Sequence, residues 1–175
     1  MAVNYLITSL ENVDSEALVE LVNSAYRGEG SKKGWTTEAD IIDGNLRIDQ
    51  QAIHDMLQKP GAVILTCKAD NDLYGCVYLN EDGKGLYLGM LSVSPDAQGS
   101  GIGKKLLQAA EQHAAKFDYT YIRMTVINIR HELIAWYERH GYKRTGERKP
   151  FPDDEKFGKP TRPIEFIVLE KMISA

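Results

Sequence analysis

Apolar residues recur along the chain with two periods, and the switching between them marks out the elements. Runs that alternate or stay apolar at 4–10, 62–68, 73–80, 85–93, 119–126, 142–147 and 163–173 predict strands. Between them apolar positions return every three or four residues. Ala17, Leu18, Leu21, Val22 and Ala25 form one face of a helix that Asp14 or Ser15 caps and Tyr26 closes. Ile102, Leu106, Ala109, Ala110, Ala114 and Phe117 form a second face, with Lys104, Lys105, Gln108, Glu111 and Gln112 on its wet side. A helix over 50–58 stops before Pro60, and another over 131–140 stops at Gly141. Asp70-Asn71-Asp72 marks the joint of a hairpin. The stretch 27–35 is a charged, glycine-rich loop, and the polar-apolar mixture at 36–49 has room for a short helix.

The strand at 85–93 enters the helix at 102 through Val93-Ser94-Pro95-Asp96-Ala97-Gln98-Gly99-Ser100-Gly101-Ile102-Gly103-Lys104. Glycines let backbone N-H groups approach a ligand closely, and a helix start adds unpaired donors and the positive end of its dipole. Gln98 or Gly99 through Lys104 is therefore a candidate anion cradle. Spacing rules out two familiar versions. A P-loop counted back from Gly103-Lys104 finds Gln98 where its first Gly belongs and Lys105 where its hydroxyl belongs. A dinucleotide fingerprint on Gly99 and Gly101 requires a small residue at Lys104 and belongs in the first βαβ unit.

The run Val-x-Pro-x-x-Gln-Gly-x-Gly-Ile-Gly-x-x-Leu-Leu, from Val93 through Leu107, resembles the acetyl-CoA pyrophosphate loop of the GCN5-related N-acetyltransferases. That loop is summarised as Gln/Arg-x-x-Gly-x-Gly/Ala, which Gln98, Gly101 and Gly103 satisfy in order. Ala135-Trp136-Tyr137-Glu138-Arg139-His140-Gly141-Tyr142 is similar to the family's second signature, a helix carrying Tyr before a Gly-aromatic stop. The two stand in the family's order and at its separation. The resemblance covers nearly the whole chain and implies an α/β (α+β) fold. Its centre is a mixed, mostly antiparallel sheet of about six to seven strands flanked by about four helices. It implies acetyl-CoA as cosubstrate, no metal, and transfer to a primary amine.

Three needs of such a transfer can be sought separately: a held donor, a deprotonated amine and help for the departing thiolate. For the donor the resemblance implies backbone contacts from Gly99, Ser100, Gly101, Ile102, Gly103 and Lys104. The resemblance also implies that the coenzyme arm enters where strand 85–93 splays from strand 119–126, at a bulge whose main chain near Leu91 and Val93 meets the acetyl group and the arm. The N-H of Leu91 or its neighbour is expected to polarise the carbonyl oxygen. For the thiolate, Tyr137 is the expected general acid, since a phenol stays protonated at neutral pH; the competing reading packs it in the core as a neighbour of Leu133, and Trp136 is assigned to packing. Relatives usually place an Asn on the coenzyme seven residues before that Tyr, where this chain has Arg130, with Asn128 two residues earlier. Either is a candidate coenzyme contact, against a solvated loop residue.

A general base is harder to place, because Leu86-Tyr87-Leu88-Gly89-Met90-Leu91 lacks the carboxylate that some relatives carry there. Glu29, Glu38, Asp40, His54 or a water relay are the candidates, each acid competing with a solvated loop charge. The acceptor site is expected between 26 and 49. Tyr26, Trp35 and Glu38 are its candidate contacts, an exposed indole beside carboxylates suiting a cationic amine. Trp35 can equally pin the loop to the body. The loop 149–163, with Phe151, Asp153, Asp154, Glu155 and Phe157, is the candidate opposite wall.

Bulk properties narrow the setting. A chain of 175 residues, 43% hydrophobic, supports one N-acetyltransferase domain over 1–175. A net charge of -4 argues against a nucleic-acid binder, and no leader or membrane-length run is visible, so a soluble cytoplasmic protein is expected. Cys67 and Cys76 read as small core residues, without metal spacing. A final apolar strand over 164–172 can pair or exchange across a homodimer. Three functions compete: an N-acetyltransferase for a small-molecule amine or a peptide, a non-catalytic acetyl-CoA-binding regulatory module, and a nucleotide-binding domain of another class.

Overall fold

In the computed structural model, which describes residues 5–10, 14–152 and 158–173, the elements follow in the order β1 (Leu6–Ser9), α1 (Ser15–Tyr26), β2 (Ile42–Asp43), α2 (Gln50–Leu57), β3 (Val63–Ala69), β4 (Asp72–Asp82), β5 (Gly85–Val93), α3 (Ile102–Lys116), β6 (Tyr121–Ile127), α4 (His131–Arg139), β7 (Lys143–Pro150), β8 (Lys159–Pro160) and β9 (Glu165–Met172). Seven strands form one sheet in the order β1-β3-β4-β5-β6-β9-β7, while β2 and β8 pair separately. Within the large sheet β5 and β6 run parallel and every other pair is antiparallel. The expected mostly antiparallel sheet with four helices is present.

Alternation on the strands feeds two cores. Leu65, Cys67, Val77, Leu79, Leu86 and Leu88 point to the face covered by α3 and α4. Ile64, Cys76 and Tyr78 point to the other, beneath α1 and α2. Helix α3 contributes Ile102, Leu106, Leu107, Ala110 and Ala114, all buried. Each fully buried leucine adds about 1.5–3 kcal/mol of transfer free energy. Cys67 and Cys76 are free thiols inside these cores.

Local chemistry accounts for the joints. Asp70 and Asn71 both take positive φ, 53° and 70°, between the partners Ala69 and Asp72, which is the two-residue hairpin turn whose twist matches the strands. Helix α4 ends on Gly141 at φ 95°, whose N-H bonds Glu138 O at 3.1 Å.

Two expectations change. The segment 36–49 forms β2 and bends in place of a helix, and the helical turn lies earlier, as a 3₁₀ stretch at Glu29–Lys33. Asn23 on α1 holds the segment by its side chain, accepting from the N-H groups of Arg47 and Ile48 and donating to Ile48 O. The last strand, β9, lies between β6 and β7 with both edges paired, so it has no free edge for pairing across a dimer. The edges of the sheet are β1 and β7. No helix among the described residues is long and apolar enough to cross a membrane.

Candidate active site

The parallel strands β5 and β6 pair at Leu86 with Ile122 and at Tyr87 with Arg123, and then separate. Beyond that point the facing edges have no partner, leaving a V-shaped gap at the carboxyl ends of both strands. Each strand leads to a helix start, α3 or α4, at the mouth of the gap. Open sheets that separate in this way present binding crevices outside their strand ends.

A bulge in β5 shapes one wall. Cys76 on β4 pairs with Ser92 while Tyr78 pairs with Gly89, so Met90 and Leu91 together oppose Val77. Met90 has φ 57°, in the left-handed region, which is uncommon for a side chain of its size. The extra residue reverses the alternation. Leu86 and Leu88 face the α3 side before it; after it Leu91 does, while Met90 turns to the α1 side. The Tyr26 hydroxyl, at the end of α1, donates to the Leu91 carbonyl and ties the bulge to that helix.

The glycine loop forms the other wall. Gly99 and Gly101 have φ of 90° and 85°, which requires glycine, and a Cβ at either would meet nothing within 4 Å. The conformation, not crowding, is what demands the residue there. Gly101 is the N-cap of α3, and the first helical bond runs from Lys105 N to Gly101 O at 3.0 Å. The amides of Ile102, Gly103 and Lys104 therefore precede the helix's own pairing and suit an anion. The Ser100 hydroxyl donates back to Ala97 O and is committed to the loop.

Between these walls lies a cavity of about 530 Å³, lined by Leu91 and Val93 of β5, Gln98 to Lys104 of the loop except Ser100, and Trp136, Tyr137 and Arg139 of α4. Trp35 and Thr36 close its far side, with the Trp35 ring 6.3 Å from that of Trp136. A second cavity, about 70 Å³, lies deeper and is lined by Leu88 to Leu91, Met124 to Ile127, Glu38, Arg47, Arg130 and Phe166. Tyr26, Leu91, Leu133 and Tyr137 line both, so the phenol of Tyr137 stands where they meet. Tyr137 is 5% exposed, and burial pushes its phenol far above the ordinary range, Tyr26 adding to the effect and Arg130 and Arg47 opposing it. It stays protonated at any physiological pH.

The geometry redistributes several expected roles. Gln98 lines the large cavity, but its carboxamide accepts from Trp35 N at 2.8 Å and donates to Thr36 Oγ1 and Val93 O, clamping the 34–36 loop to β5. Trp35 lines the large cavity and not the inner one. Asn128 lines neither cavity. Its N-H and Oδ1 bond the Glu165 main chain at 2.8 and 3.1 Å, joining the end of β6 to the start of β9. Arg130 lines the inner cavity, away from the glycine loop.

Glu38 is buried among guanidinium groups. Arg27 Nε donates to its Oε1 at 3.1 Å, Arg47 Nε lies 4.0 Å from the same oxygen, and Arg130 Nη1 lies 3.7 Å from Oε2. A carboxylate so surrounded anchors the segment. Of the other base candidates, Asp40 is exposed beside Lys32 and His54 is exposed on α2. The Glu29 side chain and the loop residues Asp153, Asp154, Glu155 and Phe157 lie outside the described residues. The Phe151 ring lies 5.3 Å from that of Phe166, which lines the inner cavity, and β8 pairs β2. Sequence reasoning missed Arg47 and Arg139; their signal lies in contacts between distant segments.

A V-shaped split between parallel strands, a bulge at its wall and a loop at its mouth whose free amides suit an anion define a domain with a binding crevice beside a second, smaller pocket. The model of the acetyltransferase (GNAT) family matches residues 16–142, and the chain belongs to that family. No curated protein matches the sequence at a significant level. Among solved structures, the ribosomal-protein-S18-alanine N-acetyltransferase from Escherichia coli superposes with a TM-score of 0.72 at 16% identity, over 98% of this chain and 96% of that one. The ribosomal-protein-alanine N-acetyltransferase from Brucella melitensis gives 0.71 at 18%, over 95% and 99%. A structure of yncA from Salmonella typhimurium with its cofactor acetyl-CoA gives 0.70 at 18%, over 98% and 95%. At these identities the likeness is one of fold.

Proposed function

We propose that the protein transfers the acetyl group of acetyl-CoA to the primary amine of a small molecule by direct attack. The observation that carries this is the position of Tyr137 at the junction of a cavity fitted to a phosphorylated ligand and a small one. The residues present fit the coenzyme: the amides of Ile102, Gly103 and Lys104 suit its pyrophosphate, and the unpaired edge of β5 suits its amide arm. Arg139 and Lys104 add cations at the mouth. The coenzyme supplies an activated thioester. The amine nitrogen attacks the carbonyl carbon, the C-S bond breaks, and the sulfur takes the Tyr137 proton while the amine proton leaves to water. An amine presented through an inner cavity of about 70 Å³ favours a compact acceptor. A soluble, cytoplasmic enzyme goes with this reading.

A second reading, a coenzyme-binding module without turnover, is favoured by one feature. Among the described residues lining the inner cavity, the one carboxylate is Glu38, and it is engaged by arginines. Thiol release with acetyl-CoA across amino acids, polyamines, other amines and peptide N-termini separates the two. The chain's two tryptophans, Trp35 and Trp136, both line the large cavity, so their fluorescence reports coenzyme binding. Tyr137→Phe is expected to lower kcat about 100-fold while leaving that fluorescence response intact. Release unchanged by the substitution would remove Tyr137 from the chemistry, and coenzyme binding without release from any amine would favour the module.

A further inference from the structure

The inner cavity carries more positive charge than its one carboxylate neutralises. Arg47, from the segment after β2, and Arg130, the N-cap of α4, both line it beside Glu38. Arg27 approaches Glu38 as well, so three guanidinium groups surround one carboxylate. Arg27 makes the hydrogen bond at 3.1 Å; Arg47 and Arg130 stand at 4.0 and 3.7 Å, within ion-pair range but too far for one. The Arg130 side chain is only 8% exposed, and its Nη1 has no hydrogen-bond partner. Buried guanidinium donors are normally satisfied, so an orphan on a residue that lines a cavity points to a ligand that completes the site.

We propose that Arg47 and Arg130 bind an anionic group on the acceptor, and that the acceptor is an amino acid or a similar small amine bearing a carboxylate. The proposal rests on the transferase reading for the amine end alone. The acid sits between the two guanidiniums, and the amine points towards Tyr137 and the bulge at Leu91. The size is right, since about 70 Å³ holds roughly two waters, close to one carboxylate. Arg47 is held in place by its guanidinium, which lies 4.8 Å above the Tyr26 ring. Leu88, Met124 and Leu133 line part of the remaining wall and leave the arginines as its cationic groups. A second cation is opposed by the same arginines, which sets polyamines apart as poor acceptors and reverses the expectation that Glu38 greets a cationic amine.

Two measurements test this. In the thiol-release assay, amino acids are compared with their carboxamides. The acids are expected to have kcat/KM about 10- to 100-fold higher, the range of one or two charge-assisted hydrogen bonds. Arg130→Gln and, independently, Arg47→Gln should bring the ratio towards one, with the KM for acetyl-CoA and the tryptophan response unchanged. Arg47 is the more exposed of the two, so its variant serves if Arg130→Gln fails to fold. Carboxamides or polyamines used as well as acids, or a ratio untouched in a folded variant, overturns the proposal. The second measurement needs no turnover: N-acetyl amino acids and their amides are titrated calorimetrically into the protein with coenzyme A present. Tighter binding of the acids that disappears in Arg47→Gln supports the anion site even where no amine is acetylated, an outcome that defeats only the transferase reading. Equal binding of acid and amide overturns the anion site whatever the enzyme does.

Discussion

Gly101 and Gly103 stand two residues apart and are glycine for different reasons. At Gly101 the left-handed backbone, φ 85°, is what a side chain resists, and nothing lies within 4 Å of a Cβ. Gly103 has ordinary helical backbone in the first turn of α3, and a Cβ would lie 3.5 Å from the Trp136 ring, an ordinary contact. Gly101→Ala is therefore expected to cost about 1–2 kcal/mol, lowering Tm by roughly 2–8 °C at this chain length. Gly103→Ala should hold Tm or raise it slightly, because alanine is about 1 kcal/mol better than glycine inside a helix. Thermal unfolding of both variants checks the distinction. An equal loss in the two would mean that crowding at Trp136, not backbone conformation, governs the loop. Glu38 shows the opposite case, a residue whose character is invisible locally. In the sequence it is an acid in a polar loop; its surroundings come from Arg27 at the end of α1, Arg47 later in its own segment and Arg130 before α4, which only the fold brings together.

At the level of elements, the bulge in β5 links α1 to the site. The strand reads Leu-Tyr-Leu-Gly-Met-Leu, apolar on both faces because helices cover both, so its alternation gives no sign of the reversal at Met90. The resemblance to the family implied the bulge; the periodicity did not. The hairpin at Asp70-Asn71 and the glycine stop at Gly141 were readable, since each depends on residues that tolerate positive φ. The two-residue strands β2 and β8 were not, because their pairing joins positions more than a hundred residues apart. Tyr26 is the joint that holds the bulge, its hydroxyl meeting the Leu91 carbonyl from a buried position. Tyr26→Phe leaves that carbonyl without its donor, at an expected cost of about 1–3 kcal/mol. Because Leu91 lines both cavities, kcat/KM for acetyl-CoA should fall several-fold as well. Urea unfolding and steady-state kinetics on the same preparation check both. Unchanged kinetics in a destabilised variant would confine Tyr26 to support.

For the whole molecule, the two cores leave several weakly acidic groups buried in their neutral form, and alkaline pH tests that arrangement. Burial pushes the Cys76 thiol from its ordinary 9.0 up to about 12, with Ser92 and Arg47 opposing, and pushes the Tyr137 and Tyr142 phenols well above their ordinary 10.0. In each case the folded value is raised, so below the unfolded value both states hold the proton and stability is full. As pH rises past about 9 the unfolded chain ionises Cys76 first while the folded protein does not. Stability then falls by at most about 1.4 kcal/mol per pH unit for each such group, steepening past 10 when the tyrosines join. Tm is therefore expected to hold between pH 7 and about 8.5 and to decline beyond it. Cys76→Ala lowers Tm at every pH by the lost packing, yet it should weaken the first part of the decline, to which the buried Cys67 thiol also contributes, and leave the steeper part above 10. Scanning calorimetry of both proteins across that range makes the comparison. An identical pH slope between 9 and 10 in the variant would show that Cys76 ionises as readily in the folded protein as in the unfolded chain.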